Sequence, residues 1–208
     1  HPAQQRLIFE ELVAHQISLL TRRAFIQQVE APSFAPSQTY AKRLLASLAF
    51  EMTGAQKRVS REIAQDLRTN KPMLRLVQGD VGAGKTLVAG VAACHALEEG
   101  WQVALMAPTE ILAEQHYLNF KRWFEPLGLN VAWLSGKQKG KARAAAEQLI
   151  RDGSAHLVIG THALFQENVE FAKLGLVIID EQHRFGVDQR LALRNKGLDG
   201  MSPHQLVM

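Results

Sequence analysis

Residues 79–86 read Gly79-Asp80-Val81-Gly82-Ala83-Gly84-Lys85-Thr86, and no other stretch constrains the chain as tightly. The pattern is G-x-x-x-x-G-K-[ST], that of a phosphate-binding loop. Such a loop works between a strand and a helix. Here a short apolar run, Met73 to Val77, precedes it, and a helical pattern, Leu87 to Leu97, follows. Glycines let backbone N–H groups curl around phosphate oxygens, and the helix N-terminus adds its positive dipole end. Lys85 is placed to reach the β- and γ-phosphates, and the Thr86 hydroxyl to sit on Mg²⁺. All eight residues are therefore candidate nucleotide ligands. The plainer alternative is a Gly-rich turn with a solvated lysine, and the flanking strand and helix speak against it.

From Met73 onward, strand-like and helix-like patterns alternate. Strands are expected over Met73–Gln78, Gln102–Ala107, Asn130–Leu134, His156–Gly160, Leu176–Ile179 and His204–Met208. Helices are expected over Thr86–Glu99, from Thr109 onward, and over Lys141–Arg151. Gly100 reads as a C′ residue, and Thr109 as an N-cap with Glu110 in the first turn. This alternation implies a parallel sheet covered on both faces, with ligands at the carboxyl ends of its strands. A hydrophobic share of 47% in 208 residues supplies a core, and no apolar run approaches a membrane span. The single cysteine, Cys94, excludes a disulfide framework, agrees with a reducing cytosol, and reads as a small core residue. A net charge of +4 is compatible with nucleic acid but too mild to establish it.

The N-terminal part carries no legible chemistry. Leu7, Ile8, Leu12, Leu19 and Leu20 recur at helical spacing within residues 1–30. Ala31-Pro32-Ser33-Phe34-Ala35-Pro36-Ser37 reads as a linker-like break, and Tyr40 to Ala49 as a short helix. The first residue is His1, and the polar start lacks an apolar signal segment. The expected role of this region is to pack on the following domain or join it to an upstream one. Thr53 and Gln56 then open a helix running to about Leu67. Their spacing is that of a capping box. A second reading makes Gln56 the partner of a nucleotide base edge, with Phe50 on the base's face; the residues alone leave both open.

Asp180-Glu181-Gln182-His183 follows directly on the apolar strand Leu176–Ile179. Carboxylates at the exit of a buried strand near a phosphate loop suit a Mg-dependent nucleotide hydrolase. Asp180 would hold Mg²⁺, and Glu181 would orient and deprotonate the attacking water. An acidic turn capping the next segment is the bland alternative. Lys137, Lys139, Lys141 and Arg143 form a basic cluster at a helix start, read either as a solvated face or as a phosphate contact. Trp101, Trp123 and Trp133 read as core-edge residues.

Several stretches together resemble the superfamily 2 helicases. Gly79–Thr86 and Asp180–His183 resemble motifs I and II. Pro108-Thr109-Glu110-Ile111-Leu112-Ala113-Glu114-Gln115-His116 resembles motif Ia, and Gly160-Thr161-His162-Ala163-Leu164 a later single-strand contact motif. With Met52–Arg58 and Ile179–Val187, the set is similar to the bacterial branched-DNA helicases. The resemblance runs from about residue 50 to the last residue. It implies an α/β fold: a RecA-like P-loop NTPase domain, mostly parallel, with helices on both faces and N-terminal helices before it. It also implies a helical extension over 1–50 joined to a DNA-binding wedge domain, and a first motor domain over 51–208 that ends ahead of the next motif.

Further expectations come with that resemblance. The cofactors would be ATP and Mg²⁺, with Thr86 and Asp180 on the metal. Lys85, Asp180, Glu181 and His183 would be catalytic, and Gln56 would read the adenine. Gln182 and His183 would sense the γ-phosphate. Thr109, Glu110, Gly160, Thr161 and His162 would lie along a nucleic-acid strand, holding its phosphates through hydroxyls and backbone N–H groups. The partners would be branched or single-stranded DNA together with a second motor domain and a wedge domain of the same chain, in the bacterial cytoplasm and away from membranes. A zinc role for His183 has no second ligand at metal spacing. Three other functions share part of the pattern: a translocase that removes stalled RNA polymerase, a non-catalytic nucleotide-binding module, and a small-molecule kinase. The kinase gives no reason for Pro108–His116.

Overall fold

The protein is described by a computed structural model covering residues 6, 9–14, 16–17, 29–80, 82–166, 168–181 and 196–208. The described parts of the first 17 residues are helical. After them come α1 (Tyr40–Ala46), α2 (Gly54–Leu67), β1 (Leu74–Leu76), α3 (Lys85–Glu98), β2 (Gln102–Met106) and α4 (Glu110–Phe124). The chain continues with β3 (Val131–Leu134), α5 (Gly140–Arg151), β4 (Leu157–Gly160), β5 (Leu174–Ile179) and β6 (His204–Val207). The strands form one six-stranded sheet in the order β1-β6-β5-β2-β4-β3, and every pairing is parallel.

The central strands are continuous apolar runs because both their faces are covered. Side chains alternate between two cores, as the period of two requires. Val103 and Leu105 of β2 face one core, and Ala104 and Met106 the other. Leu176 and Ile178 of β5 join the first; Val177 and Ile179 join the second. The first core is closed by α1, α2, α3 and the Phe120–Phe124 turn of α4; the second by Ala146 and Ile150 of α5. Helix α3 is buried at every position from Leu87 to Leu97, so it is a core helix rather than an amphipathic cover. Cys94 lies in it, and burial pushes its thiol pKa up, so it is a packing residue. The three tryptophans lie partly buried against the first core. No described helix is long and apolar enough to cross a membrane.

Caps set the helix ends as the sequence predicts. Thr53 and Gln56 form a reciprocal capping box on α2. The Thr109 hydroxyl accepts from the Leu112 N–H at 3.3 Å at the start of α4. Gly100 follows α3 with φ at +73°, a conformation that Gly adopts without a Cβ penalty.

The segment at 31–37, expected as a linker-like break, is irregular but docked. Phe34 is fully buried, its ring 5.3 Å from that of His204 and 6.0 Å from that of Trp101. The Ala31 and Phe34 N–H groups donate to the Asn70 and Leu67 carbonyls at 3.0 and 2.8 Å. His204 clamps the segment to the sheet. Its Nε2 donates to the Pro32 carbonyl at 2.6 Å, and its Nδ1 accepts the Met73 N–H at 3.0 Å. Gly175 permits this packing, because a Cβ there would meet Phe34 Cζ at 2.7 Å. The prolines break regular structure without preventing burial, and burying a Phe contributes about 1.5–3 kcal/mol. Helix α1 is then started from α3: the Glu98 carboxylate accepts from the Thr39 N–H at 3.0 Å and from the Ser37 hydroxyl.

The parallel order sets the carboxyl ends of all six strands along one edge. The loop 79–86 lies beyond β1, Asp180 after β5, Thr109 beyond β2, Thr161 after β4 and Ser135 after β3. Residues predicted from motifs far apart in sequence thus share one edge.

Candidate functional site

The phosphate loop has the backbone its glycines predict. Gly82 and Gly84 take positive φ, +83° and +79°. Gly84 is the N-cap of α3, and no side chain among the described residues caps the helix N-terminus there. Its first N–H groups are the orphan donors that an anion satisfies. Thr86 sits in that first turn. The Lys85 ammonium folds back on its own loop, donating to the Gly79 carbonyl at 2.6 Å and reaching the Asp80 carbonyl at 3.3 Å. An ammonium carries three donors, so one N–H remains for a phosphate entering the loop. Val81 lies outside the described residues.

Gln56 answers both sides of its side-chain amide within the protein. Its Oε1 accepts the Thr53 N–H at 2.9 Å, its N–H donates to Thr53 Oγ1 at 3.2 Å, and its Nε2 donates to the Ala83 carbonyl at 2.9 Å. The cap is therefore formed, and a third bond, which spacing does not predict, ties α2 to the phosphate loop. The fit is close: a Cβ on Gly84 would meet Gln56 Nε2 at 2.3 Å. Phe50 is 58% exposed and lines an open pocket of about 400 Å³ that Met52 and Lys57 share.

Asp180 leaves β5 with its N–H on the Met106 carbonyl at 2.9 Å. Its Oδ2 accepts from His116 Nε2 at 2.7 Å, while Oδ1 makes no hydrogen bond to the described residues. Glu181 has φ at +56°, the only positive φ among the described non-glycine residues. A left-handed conformation there costs roughly 1–2 kcal/mol, the kind of strain that gathers at functional positions. The Glu181 N–H donates to the carbonyl of Met208, the residue after β6, at 3.0 Å. Gln182 and His183 lie outside the described residues.

The strand-side residues are organised by one carboxylate. Glu110 accepts from the Ser135 hydroxyl at 2.6 Å, the Gly136 N–H at 3.2 Å and the Thr161 hydroxyl at 3.3 Å. It thereby joins the start of α4 to the loops after β3 and β4. Thr161 is only 2% exposed and its hydroxyl is committed to Glu110. Gly160 has a packing reason to be Gly, since a Cβ there would lie 2.1 Å from the Leu134 carbonyl oxygen. His162 is exposed in the following 3₁₀ turn. In the basic cluster, Arg143 is taken up by Glu147 at 2.8 Å and Gln166 at 2.6 Å, whereas Lys137, Lys139 and Lys141 are exposed.

Three residues enter the site that motif reading leaves without a role: His116, Ser135 and Gly136. His116 lies inside the motif-Ia stretch, but its partner is 64 residues away.

Comparison with known proteins places this geometry. The chain is 59% identical over its whole length to the ATP-dependent DNA helicase RecG of Escherichia coli K12, and 60% identical to that of Haemophilus influenzae. It spans 30% of the length of each of these relatives. The solved structure of RecG bound to a three-way DNA junction matches it with a TM-score of 0.86 and 42% identity, over 98% of this chain and 27% of that one. The DEAD/DEAH box helicase family matches residues 53–208, which takes in the sheet, the phosphate loop and the Asp180–Glu181 exit, and the chain belongs to that family.

Proposed function

We propose that this chain is the first motor domain of an ATP-dependent DNA helicase that remodels branched DNA. The observation that carries the reading is the shared edge of the sheet. It sets a phosphate loop and an acidic strand exit beside strand-end loops that are tied together through Glu110. The similarity to RecG along the whole chain supports the same reading.

The residues have separable tasks. Loop N–H groups and the N-terminus of α3 take the phosphates of ATP, and Lys85, held at the loop by the Gly79 carbonyl, offers them its remaining N–H. Thr86 and Asp180 offer hard oxygen donors, a hydroxyl and an Oδ1 with no hydrogen bond among the described residues. That set fits Mg²⁺, which is held through one or two carboxylates plus substrate phosphates. Held there, Mg²⁺ would supply positive charge against the phosphate oxygens. Glu181, fixed by the Met208 carbonyl, orients the attacking water and takes its proton. Thr109 and the loops that Glu110 gathers hold the backbone of a nucleic-acid strand. Rapid turnover requires an arginine from a second motor domain, a contribution of about 10³–10⁵ in rate.

The test is ATP hydrolysis by this chain, with and without forked DNA, beside Lys85→Ala. Slow turnover with nucleotide binding that Lys85→Ala abolishes is the result expected of half a motor. Brisk, DNA-stimulated turnover would mean that the chain carries a complete site and would overturn the half-motor reading.

A further inference from the structure

His116 is the only side chain among the described residues that bonds the Asp180 carboxylate. The two are well shielded, with side-chain exposures of 11% and 15%, and 2.7 Å separates Nε2 from Oδ2. An ionised carboxylate only accepts, so Nε2 carries the proton and donates. The ring packs edge-on against Phe120, with centroids 6.4 Å apart. Its other nitrogen, Nδ1, is buried and has no partner among the described residues. Buried ring nitrogens normally find partners, and an orphan costs about 1–3 kcal/mol. The ring therefore sits where it serves Asp180 rather than where both of its nitrogens are satisfied.

We infer that His116 is a positioning residue for the metal-binding carboxylate. It fixes Asp180 through Oδ2 and leaves Oδ1 to coordinate the Mg²⁺ that accompanies the nucleotide. The inference rests on the reading of Asp180 as a metal ligand. Carboxylate ligands are themselves hydrogen-bonded, and losing such a partner typically lowers metal affinity about 10–100-fold. His116 also belongs to α4, two turns beyond Thr109 and Glu110, about 10 Å along the axis. One rigid helix thus carries strand-side residues at its start and the support of the metal ligand in its middle.

The experiment is done on the full-length protein. Binding of a fluorescent, non-hydrolysable ATP analogue is followed as Mg²⁺ is titrated, with a parallel measurement in excess EDTA. His116→Phe keeps the volume but loses the donor. His116→Gln sets an amide N–H near the Nε2 position, and His116→Asn cannot reach it. The expected result is a Mg²⁺ midpoint raised about 10–100-fold in His116→Phe and His116→Asn. His116→Gln should stay within about threefold of the parent, and binding in EDTA should be equal in all four proteins. A wild-type midpoint in His116→Phe overturns the inference. If that variant fails to fold, equal midpoints for the Asn and Gln variants overturn it instead. Asp180→Asn separates the two layers of the argument. If its midpoint is unchanged, Asp180 is not the ligand and the site reading itself falls. If it rises while that of His116→Phe does not, only the role of His116 falls.

Discussion

Gln56 Nε2 donates to the Ala83 carbonyl at 2.9 Å while its Oε1 accepts the Thr53 N–H at 2.9 Å, so one amide closes a helix cap and braces the phosphate loop at once. The two tasks use opposite ends of the group and can be separated. Gln56→Glu keeps an oxygen for Thr53 but has nothing to donate to Ala83, whereas Gln56→Ala loses both. Thermal unfolding should put Gln56→Glu near the parent and Gln56→Ala lower, by about 0.5–2 kcal/mol for a lost cap. Nucleotide affinity should fall in both, by about tenfold, the equivalent of one hydrogen bond near 1.4 kcal/mol. A Gln56→Glu protein that binds nucleotide like the parent would show that the brace is incidental.

The site divides by how local its causes are. Gly79–Thr86 was legible because a short contiguous stretch dictates its own backbone, and Gly82 and Gly84 take the conformations expected of them. Asp180 was legible because it ends a run that a doubly covered strand makes apolar. The Thr53–Gln56 box was legible for the same local reason, but its bond to Ala83 was not, since that depends on how α2 meets the loop. His116 carries no sign in the sequence of a partner just past a strand far along the chain. The 31–37 segment misleads differently: proline reports broken regular structure and says nothing of burial, and Phe34 goes into the core. Arg143 reads as part of a basic face until Glu147 and Gln166 are found on it.

Three histidines predict how the fold responds to acid. Nδ1 of His95, His156 and His204 accepts the N–H of Ser37, Asn130 and Met73 at 2.7, 3.0 and 3.0 Å. An acceptor nitrogen requires the neutral ring at each place. Burial lowers all three pKa values from their usual 6.5. The unfolded chain therefore takes up protons near pH 6.5 that the native one refuses. Stability from these groups is full above that pH and drains away as the pH falls toward the native pKa values. Glu98, whose carboxyl is held below its usual 4.5, loses its contribution only at lower pH. Urea unfolding from pH 8 to pH 5 should show a plateau down to about 6.5 and a decline beneath it. His204→Ala should lower the plateau, because it strands the buried Met73 N–H at a cost of about 1–3 kcal/mol, and should flatten the decline. A stability that rises on acidification across this window would contradict the assignment.

Removing Glu110 should weaken DNA binding, against the sign expected from net charge. The carboxylate stands at the edge where a nucleic-acid strand is proposed to lie, so removing it relieves repulsion toward phosphate. It also gathers the Ser135 hydroxyl, the Gly136 N–H and the Thr161 hydroxyl, which fixes the loops after β3 and β4 against the start of α4. A charge repelling a phosphate across solvent is screened within about 10 Å at 0.1 M salt. Three hydrogen bonds to one charged group are worth about 1.5–3 kcal/mol each. The loss of order should therefore outweigh the gain in charge. Glu110→Ala should bind a labelled single strand about tenfold more weakly by fluorescence anisotropy at 0.1 M salt, with nucleotide affinity in the absence of DNA unchanged. Glu110→Gln, which keeps one acceptor oxygen, should fall between the two. Tighter DNA binding by Glu110→Ala would mean that repulsion dominates and that the three bonds do not organise the strand edge.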